Sequence, residues 1–286
     1  MSAPRWHLTE DLTEFLDRAG DFLRSRPALH TVPLTVTEDL RSQGTRRYGE
    51  QAPFFGYLRG DRAQVRAACF RTPPFGLYVT PLTADDADSL ARRLTEAGRD
   101  LPGVAGDRET AEGFARAWRR RTGAPFGLHQ HQRLYRLGDL TPPSPAPPGR
   151  ARTATEADRP QLRAWHDDFI AAIGEPPRDD ADAWIDARLS RDGLTLWEGP
   201  EGIPVAMAGV TSMVAGQIRV APVYTPAQWR GRGYAGAATA EASRAALAAG
   251  ASEVLLFTDL ANPTSNGLYQ RLGYRPVRDF AVYDFG

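Results

Sequence analysis

The sequence predicts an α/β protein of two domains, residues 1–137 and 150–286, joined by a proline-rich linker at 138–149. Three observations carry this expectation. The stretch GDLTPPSPAPPG (138–149) holds five prolines, which forbid helix and favour an extended, semi-rigid spacer. On both sides of it, short apolar or β-branched runs alternate with segments of helical spacing. The chain has 286 residues and is 42% hydrophobic, enough for two domains of ordinary size, each with its own core.

The N-terminal elements follow in order. Thr9 to Arg24 has helical spacing through Leu12, Phe15, Leu16 and Leu23. AQVRAACF (63–70) and GLYVT (76–80) read as strands separated by the Pro73-Pro74 turn. Ala84 to Ala97 and Asp107 to Arg121 read as helices, with Asp107 as N-cap and Gly123 as stop. LHQHQRLYRL (128–137) is a strand-like run. His129 and His131 share a face of it, but with no cysteine or acidic residue beside them in sequence they read as structural, and no metal is expected.

The C-terminal order is clearer. A short strand at Ala151–Thr153 leads into a helix from about Glu156 to Ile173, then a second from Asp180 to about Ser190. LTLWEG (194–199), PVAMAGVTSMV (204–214) and GQIRVAPVYTP (216–226) read as strands, the first two split by the turn PEG (200–202). A helix over Gly233–Ala249 ends at Gly250, and VLLFTDL (254–260) is a short strand apolar enough to be buried on both faces. A helix begins near Pro263, which suits a first helical turn, and stops at Gly273. DFAVYDF (279–285) closes the chain as a strand.

Composition narrows the function. Thirty-five basic and 35 acidic residues give zero formal charge, which argues against nucleic acid or a membrane surface recruited by bulk electrostatics. No apolar run could span a bilayer and MSAPRWHLTEDLTEF has no signal-peptide core, so a cytoplasmic protein is expected. Cys69 is the single cysteine, which excludes an intrachain disulfide and a thiolate metal cluster. There is no lysine, which excludes a Schiff-base lysine and a Walker A loop; codon bias toward arginine accounts for the pattern.

RGRGYAG (230–236) fits two phosphate-binding patterns. From Gly231 it reads G-x-G-x-x-G, the dinucleotide fingerprint; from Arg230 it reads R-x-x-G-x-A, an acyl-CoA pyrophosphate loop. Asp259 lies at the distance the dinucleotide reading needs. Against that reading, TPAQWR separates the preceding strand from Gly231, and too few residues follow to build a βαβαβ half. The acyl-CoA reading uses every residue of the loop. Gly231 and Gly233 let amides approach a diphosphate, Arg230 and Arg232 supply cations, and Tyr234 and Ala235 open a helix whose positive end faces the phosphates.

Together, VAPVYT, RGRGYA and NPTSNGLYQRLGYRPV resemble, in type and order, the acyl-CoA-binding half of GNAT-family N-acetyltransferases. The pattern N-x-x-x-N-x-x-Y-x-x-x-G-F/Y about thirty residues after the loop makes the match specific. It reaches from about Ala151 to the C-terminus, with the helices over 156–190 as the variable acceptor side. Residues 1–137 lack an R-x-x-G-x-G/A loop and are similar in element order to the degenerate first repeat of tandem GNAT-like bacterial proteins.

The resemblance implies a mixed, mostly antiparallel GNAT-like sheet flanked by helices, after a degenerate GNAT-like α/β N-terminal domain. It implies acetyl-CoA as co-substrate, no metal, and direct attack of a small-molecule or peptide amine on the thioester. Backbone groups of Val223, Tyr224 and Thr225 would hold the pantetheine arm, with the Val223 N–H as oxyanion donor. Tyr269 would protonate the leaving thiolate. Asn262 and Asn266 would bond pantetheine or phosphate, although Asn262 also suits a helix cap. Glu198 is a candidate base, beside Glu175, His166 and Asp259; Trp165, Trp184 and Trp197 line an acceptor pocket or fill the core. A CoA-binding regulatory or scaffold module without turnover fits the same loop, and a homodimer is compatible with the sequence.

Overall fold

The computed structural model describes residues 5–60, 64–174 and 181–286. The expected strand start at Ala63, the expected helix start at Asp180 and the candidate base Glu175 lie outside them. The first half runs β1 (Trp6–Thr9), α1 (Leu12–Arg24), α2 (Thr31–Gln43), β2 (Phe54–Arg59), β3 (Val65–Arg71), β4 (Leu77–Val79), α3 (Ala84–Glu96), β5 (Gly103–Asp107), α4 (Arg108–Thr122) and β6 (Phe126–Leu137). The second half runs β7 (Arg150–Thr153), α5 (Arg159–Ala172), α6 (Ala181–Leu189), β8 (Leu194–Glu198), β9 (Pro204–Val210), β10 (Gln217–Tyr224), α7 (Tyr234–Ala248), β11 (Glu253–Asp259), α8 (Pro263–Arg271) and β12 (Tyr274–Phe285). Short 3₁₀ turns apart, the second half repeats the first element for element.

The compact units do not follow the two halves of the chain. Unit 1 takes the described residues up to Leu134 together with Thr258–Asn262 and Val277–Gly286; unit 2 takes Tyr135–Phe257 and Pro263–Pro276. In unit 1, β1, β2, β3 and β4 pair antiparallel in sequence order, β4 pairs parallel with β5, and β5 pairs antiparallel with Phe280–Asp284 of β12. Ala281 and Tyr283 of that last strand therefore sit in the same core as Phe54, Leu77, Val104, Leu90 and Phe114. In unit 2, β7, β8, β9 and β10 pair antiparallel, and β10 pairs parallel with β11.

Local chemistry accounts for most boundaries. The Asp107 carboxylate accepts the Thr110 N–H at the start of α4, and the helix ends where Gly123 turns left-handed. Four elements escape the sequence pattern: β1, α2, β2 and β5. TVPLTVTEDLRSQ is rich in β-branched residues and reads poorly as helix. Its hydroxyls bond back one turn, Thr35 Oγ1 to Thr31 O at 2.8 Å and Thr37 Oγ1 to Pro33 O at 2.7 Å, so they can be buried against the core. The strand expected over 204–214 stops at Val210, because Ala215 and Gly216 take positive φ in the turn to β10.

The proline-rich stretch does not hang free. Gly138 and Thr141 donate backbone N–H groups to Gly273 O and Leu272 O, each at 3.0 Å, and Trp197 Nε1 donates to Pro148 O at 3.1 Å. Leu140 packs on the unit 2 core. Among the described residues, no helix is long and apolar enough to cross a membrane.

Candidate active site

The site begins where β10 leaves its neighbour. Its ladder with β11 covers only Gln217↔Glu253, Ile218↔Val254 and Arg219↔Leu255, and then stops. On its other edge β10 stays with β9, through Val220↔Val210, Val223↔Ala208 and Tyr224↔Met207, but the register shifts between Val220 and Val223. Pro222 lies in that shift and has no N–H to give a ladder. Gly209 lies opposite and makes room for it, since a Cβ there would meet Ala221 O at 3.0 Å and Pro222 Cδ at 3.1 Å. Val223, Tyr224 and Thr225 thus border a gap on the β11 side. The Thr225 hydroxyl oxygen is buried without a hydrogen-bond partner.

The glycine loop follows directly. Gly231 and Gly233 hold φ of 76° and 83°, a region costly to residues with a Cβ. Space is not their reason: a Cβ on Gly231 would meet nothing within 4 Å, and one on Gly233 only Pro147 at 3.8 Å. Gly233 is the N-cap of α7 and has no side chain to satisfy the first-turn amides. Arg230 Nε donates to Thr225 O at 3.0 Å, and the Arg232 guanidinium lies 5.0 Å from the Trp229 ring centroid. Arg230 through Gly233 are exposed, whereas Tyr234 is buried against Trp229, so only its backbone N–H can face a ligand.

The corresponding helix of the first half has the opposite terminus. Thr83 and Asp86 form a reciprocal capping box at α3, and Asp85 and Asp86 place two acids in its first turn. Its Asp86 amide is already bonded to the Thr83 hydroxyl, and the acids of its first turn repel an anion. The chain therefore carries one diphosphate-compatible helix start of this pair, at α7.

Tyr269 on α8 is 8% exposed and shares a core cluster with Tyr234, Tyr135 and Tyr274, against which Val223 and Trp229 also pack. Burial pushes its phenol up to about 12. Among the described residues its hydroxyl has no hydrogen-bond partner, and its ring meets Tyr274 edge-on at 6.1 Å. Asn266 does not face a ligand with its oxygen. Its Oδ1 accepts from the Tyr135 hydroxyl at 2.9 Å, and Gln270 Nε2 donates to the same hydroxyl at 3.1 Å. Asn262 is exposed immediately ahead of α8, with its N–H bonded to Asp259 O at 3.0 Å.

Three candidate bases are otherwise engaged. Glu198 is buried at the end of β8, two strands from β10, hence roughly 10 Å away at the usual strand spacing. It accepts from Arg152 Nε at 2.5 Å and Arg150 Nε at 3.0 Å, and these guanidiniums, Arg152 first, hold its carboxyl below the usual range. Arg152 also holds Asp158, likewise lowered. Glu198 is thus a structural anion and not a poised base. Because both carboxyls are lowered, the stability they add is present above about pH 4 and lost as pH falls below it. Glu198→Gln is expected to keep turnover within roughly threefold of wild type while raising the pH of acid unfolding, read by thiol release and circular dichroism.

His166 is buried, 3.2 Å from Asp167 through Nδ1 and 5.0 Å from the Trp184 ring. Asp259 Oδ1 accepts the Ala261 N–H at 2.8 Å in the turn after β11. Trp165, Trp184 and Trp197 are all buried and fill cores; Arg188 covers one face of Trp184 at 4.2 Å. Of the histidine pair on β6, His129 lies with its Nδ1 2.8 Å from Asp284 Oδ2. Among the described residues, no group of three or more His, Cys, Asp or Glu is placed to hold a metal ion.

One residue of the site escapes the sequence pattern. Asp168, exposed on α5, accepts the Tyr224 hydroxyl at 3.0 Å, and Trp165 packs 6.0 Å from the same ring. The only local signal is an acidic pair, Asp167-Asp168, set between Trp165 and Phe169 on the helix; its partner lies 56 residues on.

Residues 159–274 match the model of the Acetyltransferase (GNAT) family. Solved structures match over nearly the whole chain. A GCN5-related N-acetyltransferase from Sphaerobacter thermophilus is 18% identical, with 99% of this chain and 95% of that one covered and a TM-score of 0.66. A GNAT-family acetyltransferase from Colwellia psychrerythraea is 13% identical, covers 98% of each chain and has a TM-score of 0.59. The GCN5-related glucosamine N-acetyltransferase region of a fungal multi-domain β-N-acetylglucosaminidase is 12% identical, with 100% of this chain and 38% of that one covered and a TM-score of 0.55. No curated protein sequence matches. Over residues 159–274 the chain is therefore similar to the GNAT acetyltransferase family, and the fold is GNAT-like across the chain.

Proposed function

We propose that the protein transfers an acetyl group from acetyl-CoA to a primary amine by direct attack on the thioester. The observation that carries this reading is the parting of β10 from β11 immediately ahead of an uncapped helix start. Several features fit the donor. The α7 amides and the open space over Gly231 suit a diphosphate, and the exposed Arg230 and Arg232 add charge beside it. The orphaned Thr225 hydroxyl and the unpaired edge of β10 suit the amide groups of pantetheine.

Acetyl-CoA, when bound, supplies an activated carbonyl and a thiolate leaving group. The Val223 N–H bonds the carbonyl oxygen as charge develops there. Tyr269 holds a proton throughout the neutral range and gives it to the sulfur as the C–S bond breaks. Water takes the amine's proton, since among the described candidate carboxylates Glu198 is held by two arginines and Asp259 Oδ1 accepts the Ala261 N–H, while Asp168 already accepts the Tyr224 hydroxyl. The first half, with its capped α3, shapes the protein without holding a second donor, as a degenerate repeat would. A cytoplasmic setting suits this donor and the single buried cysteine.

Calorimetry with acetyl-CoA and NAD, followed by thiol release over a panel of amines, tests the reading. Acetyl-CoA binding with amine-dependent thiol release is expected. Binding of NAD in its place overturns the donor, and tight acetyl-CoA binding without thiol release identifies a CoA-binding module.

A further inference from the structure

We infer that Asp168, fixed by Tyr224, selects the acceptor by binding a second ammonium group, so that the substrate class is a diamine or other dicationic amine. This rests on the acetyl-transfer reading above and names the substrate side of that site.

The placement comes from strand alternation. Val223 and Tyr224 are successive residues of β10 and face opposite sides of the sheet. Val223 packs with the α7 cluster, while Tyr224 packs with Trp165, Trp184, Leu196 and Met207 under α5 and α6. Tyr224 is also the last residue of the strand, beyond the point where pairing with β11 ends. Its hydroxyl carries the site across to the helix face, where the Asp168 carboxylate accepts it at 3.0 Å. Burial and then Asp168 itself raise the Tyr224 phenol, so it remains a donor.

Asp168 stands out by what does not hold it. Five other acids of unit 2 are bound by arginine: Glu156 and Asp186 by Arg159, Asp158 and Glu198 by Arg152, Asp182 by Arg163. Among the described residues Asp168 has no arginine, and neither does Asp167, which contacts the His166 ring. Arg230, which also acts on the Tyr224 phenol, is bonded to Thr225 O. Those five acids each carry a cation of their own, whereas this exposed carboxylate is tied to the donor strand by Tyr224 alone among the described residues. Tyr224 occupies part of its acceptor capacity and leaves the rest for N–H donors. A carboxylate stabilises an ammonium as charged, which suits a group that is held and not the nitrogen that must lose its proton to attack.

The full-length protein tests this with 1,3-diaminopropane and propylamine as acceptors, read by thiol release, and with calorimetric binding of 1,3-diaminopropane. Wild type is expected to favour the diamine in kcat/KM by about tenfold or more. Asp168→Asn is expected to bring that ratio near one, through KM, with acetyl-CoA affinity unaltered. Tyr224→Phe, which frees the carboxylate without removing it, is expected to lower the ratio by roughly threefold. A ratio unchanged in Asp168→Asn overturns the assignment. If wild type binds acetyl-CoA but acetylates neither amine, the transfer reading fails, and the calorimetric arm still decides. Diamine binding weakened about tenfold by Asp168→Asn keeps the cation site, and binding that is absent or unaltered removes it.

Discussion

Replacing Tyr269 with phenylalanine is expected to lower kcat by about 10²-fold or more, the usual contribution of a positioned general acid, with acetyl-CoA affinity unchanged. The hydroxyl is absent from the protein's own hydrogen-bond network among the described residues, so its removal strands no partner. Stability should therefore stay within about 1 kcal/mol of wild type, measured by thermal unfolding. A tyrosine that only packs would show the reverse, an unaltered kcat. The pH dependence follows from the raised phenol. Tyr269 keeps its proton until about 12, so it contributes no alkaline limb to kcat between pH 7 and 10. The same shift means that its neutral form stabilises the fold below the unfolded value near 10, and that this contribution fades as pH climbs from there toward 12.

Gly233→Asp is expected to weaken acetyl-CoA binding by about 10²- to 10⁴-fold. The new carboxylate would bond the α7 amides and set a negative charge where the proposed diphosphate would sit, copying the terminus that Thr83 and Asp86 give α3. Losing two charge-assisted hydrogen bonds of about 1.5–3 kcal/mol each gives that range. Backbone strain at φ 83° must be separated from capping, because any side chain there costs about 1–2 kcal/mol. Gly233→Ala carries the strain without the carboxylate and is expected to weaken binding by no more than roughly thirtyfold. Equal losses in the two variants, by calorimetry, would show that the helix start does not grip the donor.

The parts of the site legible in the sequence are those whose chemistry is local. RGRGYAG fixes a turn and a helix start within seven residues, and Asn266 to Tyr274 carries its own helix and stop. The parts that were not legible depend on distant chain. Glu198 looks like a free acid at a strand end until Arg150 and Arg152, more than 45 positions earlier, close on it. Asn266 looks like a ligand group until Tyr135 takes its oxygen. Tyr224 and Asp168 each look ordinary, and only folding makes them a pair. Among the elements, α2 and β5 were hidden for opposite reasons. In α2 the β-branched residues argue for strand and burial overrules them, while in GVAGD two glycines weaken a strand that its neighbours β4 and β12 enforce.

The ownership of the last strand has a consequence for biosynthesis. Because β5 waits for Phe280–Asp284, unit 1 is not a module that a ribosome can finish first. At translation rates of 5–20 residues per second, on the order of ten seconds separates emergence of β5 from that of its partner. Throughout that interval the β5 edge that β12 covers in the folded protein is without its strand, and an unfilled edge of that kind is where unintended strand pairing begins.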